Sequence, residues 1–344
     1  MDLQSLVDKE SLTDSRTLHE EIVDTLNSEH MDSADVRDVI SFASLAEKYV
    51  LRNHPLHHDQ RHNETQEEIS PKLRASIIRL GRFLQKQIPD YFKQCKAYER
   101  ILKHNNLDEE QQDHYKDVLN HLSADLSYLH HLVGETFMLS FNEVKPQSGF
   151  PTGKKLLLAD KWFRNKVTAA FSILDLDPLT AAYAFDSAAK AGRNGYNITF
   201  DKEYLINGNW REFRKKENFF WADRVLMASS QTAYLFNQYK NRSESDNFDG
   251  YKMSQSLLES SIAHSYRRVG DAAKALFVLH EQDHLKDIAE QSYDEFLETA
   301  PPYLRTAEHY TIYGRVAADA LALKKHDARK QLLEKPSLLI LTPF

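Results

Sequence analysis

The sequence predicts a nearly all-α protein, and two observations carry that prediction. Only 10 glycines and 10 prolines punctuate the 344 residues, whereas a β-rich chain needs many more tight turns. Long segments between them are rich in alanine, leucine, glutamate, lysine and glutamine, which are strong helix formers. With 41% hydrophobic residues, the chain has enough apolar side chains for one extended core or two smaller cores.

The first predicted helices lie before residue 65. A modest apolar pattern occupies residues 1–30, and a firmer helix is expected to begin at Ser33, whose side chain can cap the following amides. Pro55 ends that helix. The polar, histidine-rich segment 54–65 is predicted to be a loop.

Two long helices follow. Ser70 is an N-cap candidate directly before a proline, and apolar residues then recur at three- and four-residue steps. Asp108, with Gln111 three residues later, matches a capping box that opens the next helix. Two long helices joined by a short link predict an antiparallel bundle, so residues 1–145 are assigned to an N-terminal helical bundle.

A domain boundary is predicted at residues 142–153, which concentrate proline, glycine and serine. The second domain, residues 155–344, is expected to contain apolar-faced helices separated by turn-rich segments. Asp177-Pro178 separates the first two of these helices, and Gly208 between two asparagines indicates a turn or short hairpin. The helices are predicted at 156–176, from Ala181 onward, at 219–239 and from 251 onward.

Residues 261–276 predict two short helices that meet at Gly270. Tyr266, Gly270 and Ala275 stand at the spacing of a tetratricopeptide repeat, so the segment resembles such a unit. Segments 172–178 and 310–321 are similar to parts of the same pattern. The resemblance implies an N-terminal bundle followed by tetratricopeptide-like hairpins of the α-solenoid type. A helical domain without true repeats stays an open alternative, because the period is not constant.

The same resemblance implies a binding groove on the first helix of the unit. The residues facing it would be Ser260, His264, Arg267 and Arg268. Two adjacent arginines beside a histidine can hold a carboxylate or an acidic peptide by charge-assisted hydrogen bonds. A solvated helix face is the alternative. The function expected is that of a protein- or peptide-binding scaffold without a cofactor.

A metal-dependent hydrolase is the competing hypothesis. Residues 280–284 read His-Glu-Gln-Asp-His, which resembles the zinc-binding helix of metallopeptidases. On one helix, His280 and His284 would share a face, and Glu281 would act as general base on a zinc-bound water. Glu308 is a candidate third ligand. Solvated residues at a helix end are the alternative interpretation.

Charge, cysteine content and hydropathy limit the classes of partner and the cellular compartment expected for the protein. A formal net charge of -7 gives no overall attraction to nucleic acid or anionic lipid. Cys95 is the single cysteine, and the first residues lack the pattern of a secretory signal. No apolar run approaches the ~20 residues of a membrane span. We therefore expect a cytoplasmic protein that binds neither nucleic acid nor membrane, with its oligomeric state left open.

Overall fold

The all-α prediction is confirmed by a computed structural model. The structure describes residues 15–27, 39–52, 70–104, 107–144, 152–200, 211–243, 253–280, 282–301 and 307–324. Within these ranges it contains ten α-helices and no strand. None of the described helices combines the length and apolarity needed to cross a bilayer. By its contacts the chain divides into two compact units, 1–176 and 177–344.

Five helices form the first unit. They are α1 (Ser15–Asn27), α2 (Val39–Ala46, continued by a π-helical turn at Glu47–Leu51), α3 (Pro71–His104), α4 (Glu109–Glu143) and α5 (Thr152–Ile173). Helices α3 and α4 are antiparallel, since Arg74 pairs with Glu143 at 2.8 Å at one end and the rings of Tyr98 and Tyr115 lie 5.9 Å apart near the other. Helices α1 to α4 contribute the buried core.

Two predicted helix starts are confirmed. The Ser70 hydroxyl accepts a hydrogen bond from the Leu73 amide at 3.1 Å. The Asp108 carboxylate accepts one from the Gln111 amide at 2.8 Å. Each bond satisfies an amide that has no partner within its own helix. Ser33 and the 54–65 loop lie outside the described residues.

The boundary between the two compact units lies one helix after the linker predicted at 142–153. Helix α5 packs on α4, where the Ser127 hydroxyl donates to the Ala169 carbonyl at 2.9 Å. The buried Lys166 ammonium of α5 also pairs with the Glu135 carboxylate of α4. A buried ion pair and a buried hydrogen bond hold α5 to the first unit. Residues 145–151 of the linker lie outside the described residues.

The second unit contains α6 (Pro178–Phe200), α7 (Arg211–Ser243), α8 (Gln255–His280), α9 (Asp283–Thr299) and α10 (Ala307–Lys324). Asp177 caps α6 by accepting from the amides of Leu179 and Thr180 at 3.1 and 3.0 Å. Within the unit each helix packs on the next in the chain, which is the neighbour-on-neighbour pattern of solenoid-like folds. The predicted turn at 201–210 lies outside the described residues.

Gly270 is not a turn, so the prediction of two short helices meeting there is wrong. Helix α8 runs unbroken for 26 residues. Gly270 lies within it, at the point where the ring of Tyr293 from α9 packs against α8. A Cβ atom at Gly270 would stand 2.5 Å from two ring carbons of Tyr293, closer than atoms can approach. The hairpin turn instead falls after His280, at the end of α8. Ile262 and Ala263 of α8 are buried.

Replacing Gly270 by alanine is expected to destabilise the protein. The added methyl group overlaps the Tyr293 ring, and overpacking of this kind costs about 1–3 kcal/mol. Gly314→Ala is the matched control, because Gly314 is exposed within α10 and no described atom lies within 4 Å of its ideal Cβ. The control should raise stability by about 0.5–1 kcal/mol. Urea unfolding of both variants measures the difference in their free energies of unfolding. Equal stabilities of Gly270→Ala and Gly314→Ala would contradict the close contact of Tyr293 with α8 at Gly270.

Candidate anion-binding cleft

Helix α8 carries charged residues although it packs among other helices. Arg267, Arg268 and Lys274 are only 3%, 8% and 3% exposed. Burial of a charge costs free energy unless an opposite charge or hydrogen bonds replace the lost water. The opposite charges come from the neighbouring helices α6 and α10.

Two of these cations form ion pairs across helices. Arg268 pairs with Asp186 of α6, which also contacts Lys190 at 3.3 Å. Burial alone would raise the pKa of Asp186, but the positive charges of Arg268 and Lys190 lower it below its ordinary value. Lys274 pairs with Asp319 of α10 at 2.6 Å. Burial lowers the pKa of Lys274, and the Asp319 charge opposes that shift.

Asp271 joins three helices through its carboxylate. The Tyr293 hydroxyl of α9 donates to it at 2.9 Å, and the Arg315 guanidinium of α10 donates at 3.2 Å. Burial raises the pKa of Asp271, while the charges of Arg315 and Arg267 oppose the rise. Burial, with the Asp271 charge, also raises the pKa of Tyr293 well above its ordinary value. Tyr293 therefore keeps its proton and remains a hydrogen-bond donor at neutral pH.

A cleft opens beside these pairs and is lined chiefly by arginine. It opens to solvent, and the space enclosed within it is about 20 Å³, room for roughly one water molecule. Its walls combine four guanidinium groups with one carboxylate and two apolar side chains. They are Arg193 of α6, Val225 of α7, Arg267, Arg268, Asp271 and Ala272 of α8, and Arg315 of α10.

Arg267 is the most buried of the four arginines, and Arg193 and Arg315 are half-buried. The pKa of Arg267 is lowered to about 10, chiefly by burial; the Asp271 charge opposes the shift, and the nearby charges of Arg268, Arg193 and Arg315 add to it. The side chain is therefore still charged at neutral pH. A narrow, positively charged cleft with low-dielectric walls attracts anions, and arginine binds carboxylate or phosphate oxygens with two parallel hydrogen bonds.

Of the four residues predicted to face a groove, two line the cleft and two lie elsewhere on α8. Arg267 and Arg268 line the cleft, so they do not form the solvated face considered as the alternative. Ser260 and His264 lie farther toward the N-terminus of α8, the first buried and the second half-buried.

Sequence reasoning missed Arg193, Asp271 and Arg315. The sequence contains a signal for Asp271 and Arg315. Each follows a glycine, Gly270 or Gly314, at the corresponding place in two similar segments, and the two residues have opposite charges. Those two side chains form an ion pair. Arg193 lies in a different segment from either, without a local pattern that marks it.

The proposed zinc-binding helix is not a single helix. Helix α8 ends at His280 and α9 begins at Asp283, so His280 and His284 do not share a helical face. Both are exposed, and the His280 ring packs edge-on against Phe219 with centroids 4.4 Å apart. Glu281 and the side chain of Glu308 lie outside the described residues. The described part of the chain holds no group of three or more histidine, cysteine or acidic ligands.

Asp186→Asn is expected to lower the free energy of unfolding by about 3–5 kcal/mol at pH 7, because it leaves the buried Arg268 guanidinium without its ion-pair partner. Because the pKa of Asp186 is lowered in the folded state, its stabilising effect is present above the unfolded pKa of about 3.9. That effect is lost as the pH falls through the folded pKa. The difference in free energy of unfolding between Asp186→Asn and the native protein should therefore become smaller at low pH.

Urea unfolding at pH 7 and in acid measures this gap. The exposed Asp223 of α7 supplies the control Asp223→Asn, which should change stability by less than about 0.5 kcal/mol. A gap that stays constant down to the lowest pH would contradict the ionised Asp186–Arg268 pair.

No protein-family model, curated protein or solved structure matches the chain.

Proposed function

We propose that the protein is a binding protein whose second unit receives an acidic group of a protein or peptide partner in the arginine-lined cleft. One observation carries the proposal: three helices converge on the cleft with four guanidinium groups and a single carboxylate. An acidic side chain placed there would lie among cations and so complement the charge of the lining. The structure does not favour the hydrolase alternative, since His280 and His284 belong to different helices.

Neighbouring contacts support binding because they orient the arginines before a ligand arrives. Asp186 fixes Arg268, and Asp271 fixes Arg315. Preorganised donors lose little conformational entropy on binding, so more of the interaction energy appears as affinity. Helices α6, α8 and α10 supply these side chains, and sites built on helices hold their geometry better than sites built on loops.

Arg193→Gln tests the proposal and leaves the side chains of the Asp186–Arg268 and Asp271–Arg315 pairs in place. The probe is a fluorescein-labelled peptide of alternating glutamate and glycine, and the measurement is fluorescence anisotropy with the full chain. Removal of one charged donor should weaken binding by about 10–100-fold, corresponding to the 1.5–3 kcal/mol of a charged hydrogen bond. Arg193→Lys keeps the positive charge but not the planar guanidinium group, so its affinity should fall between those of the native protein and Arg193→Gln.

Arg242→Gln is the matched control, because Arg242 is an exposed arginine in the last turn of α7. It removes the same net charge and should leave the affinity within about twofold. If the native protein shows no saturable binding, or if Arg242→Gln weakens it as much as Arg193→Gln, the cleft is not the binding site.

A further inference from the structure

A second pocket lies in the 177–344 unit and shares no lining residue with the arginine-lined cleft. It is formed by the last two turns of α7, the N-terminal half of α8 and the C-terminal end of α9. The space within this second pocket is about 380 Å³. That is many times the volume of one water molecule, and it falls in the size range of small-molecule sites.

Three charged side chains line the second pocket, and each comes from a different helix. They are Lys240 of α7, Glu259 of α8 and Glu298 of α9. None of the three has an ion-pair partner in the part of the chain that the structure describes, and Glu259 accepts only a hydrogen bond, at 2.9 Å, from the side-chain amide of Gln255. In the cleft, by contrast, the charge of Arg268 is compensated within the protein. The three charges of the second pocket are therefore available to opposite charges on a ligand.

One part of the second pocket suits ammonium groups. Glu259 and Glu298 supply two carboxylates there. The side-chain amide of Asn237 donates to a backbone carbonyl and to a tyrosine hydroxyl at 3.0 Å each, which uses both of its N–H groups and leaves its oxygen as an acceptor. Helix α9 ends at Thr299, so the negative end of its dipole adds to the same potential. An ammonium group is a positively charged donor with no acceptor, and it matches these oxygens.

The remaining lining supplies one positive charge and an apolar floor. The Lys240 ammonium can receive a carboxylate. Ile262, Ala300 and Pro301 form the floor, and all three are buried in the protein. A chain of methylene groups packs well on such a surface while its charged ends stay at the polar rim.

We propose that the second pocket binds a free diamino carboxylic acid of the size of lysine. Its two ammonium groups pair with Glu259 and Glu298, its carboxylate pairs with Lys240, and its methylene chain lies on the apolar floor. Two positive groups and one negative group on the ligand then complement one positive and two negative groups on the protein. The site is independent of the proposed function, because no residue of the arginine-lined cleft takes part in it.

Isothermal titration calorimetry of the full chain with lysine and two analogues tests the proposal. Lysine should bind saturably. Norleucine lacks the side-chain ammonium and cadaverine lacks the carboxylate, so each loses a charged hydrogen bond and should bind about 10–100-fold more weakly. An analogue that binds as tightly as lysine would contradict the proposal.

Nα-acetyl-lysine amide separates a free amino acid from a lysine residue of a partner chain. It keeps the side-chain ammonium but has neither the α-ammonium nor the carboxylate, so it should bind more weakly than lysine by at least about tenfold. Equal affinity would assign the second pocket to a lysine side chain of a protein partner and would overturn the proposal.

Glu298→Gln and Lys240→Gln should each weaken lysine binding by about 10–100-fold. Asp287→Asn is the control, since Asp287 is an exposed carboxylate in the first half of α9, and it should leave the affinity within about twofold. Circular dichroism checks that the variants remain folded, and Arg193→Gln should bind lysine like the native protein. If native protein shows no saturable lysine binding, or if Asp287→Asn weakens it as much as Glu298→Gln, the second pocket is not the site.

Discussion

The second unit depends on the burial of cations along α8. Arg267, Arg268 and Lys274 lie almost fully inside, and an uncompensated charge in such a place costs about 3–5 kcal/mol. Ion pairs to Asp186 and Asp319 hold α6 and α10 at fixed positions along α8. The same requirement for compensating charge produces the cleft, because the arginines that meet there outnumber the carboxylates that line it.

Close packing and electrostatics are linked at Gly270. Since this residue has no side chain, the Tyr293 ring of α9 lies directly against α8. The approach brings the Tyr293 hydroxyl to within 2.9 Å of Asp271, which in turn holds Arg315. A steric feature of one residue thus fixes the position of a charged wall of the cleft. Gly195 has the corresponding packing role against Trp221, between α6 and α7.

Features set by neighbouring residues could be predicted from the sequence, and features set by distant ones could not. Ser70 and Asp108 were identified as caps because the hydrogen bonds they make are local. The sequence predicts a turn at Gly270 because a glycine in a turn and a glycine at a helix crossing cannot be told apart without the position of Tyr293. The sequence predicts one helix for His280 and His284 because no proline or glycine marks the end of α8. Four helices line the cleft, and their convergence is a property of tertiary packing.

Thermal unfolding of the full chain in phosphate and in chloride, at equal ionic strength, tests most directly whether the cleft holds an anion. A ligand that binds only the folded state raises its stability in proportion to the logarithm of one plus the ratio of concentration to Kd. The Tm of the native protein should therefore rise in phosphate by more than that of Arg193→Gln, whose shift reports the general effect of the salt. Equal shifts for the two proteins would contradict the account.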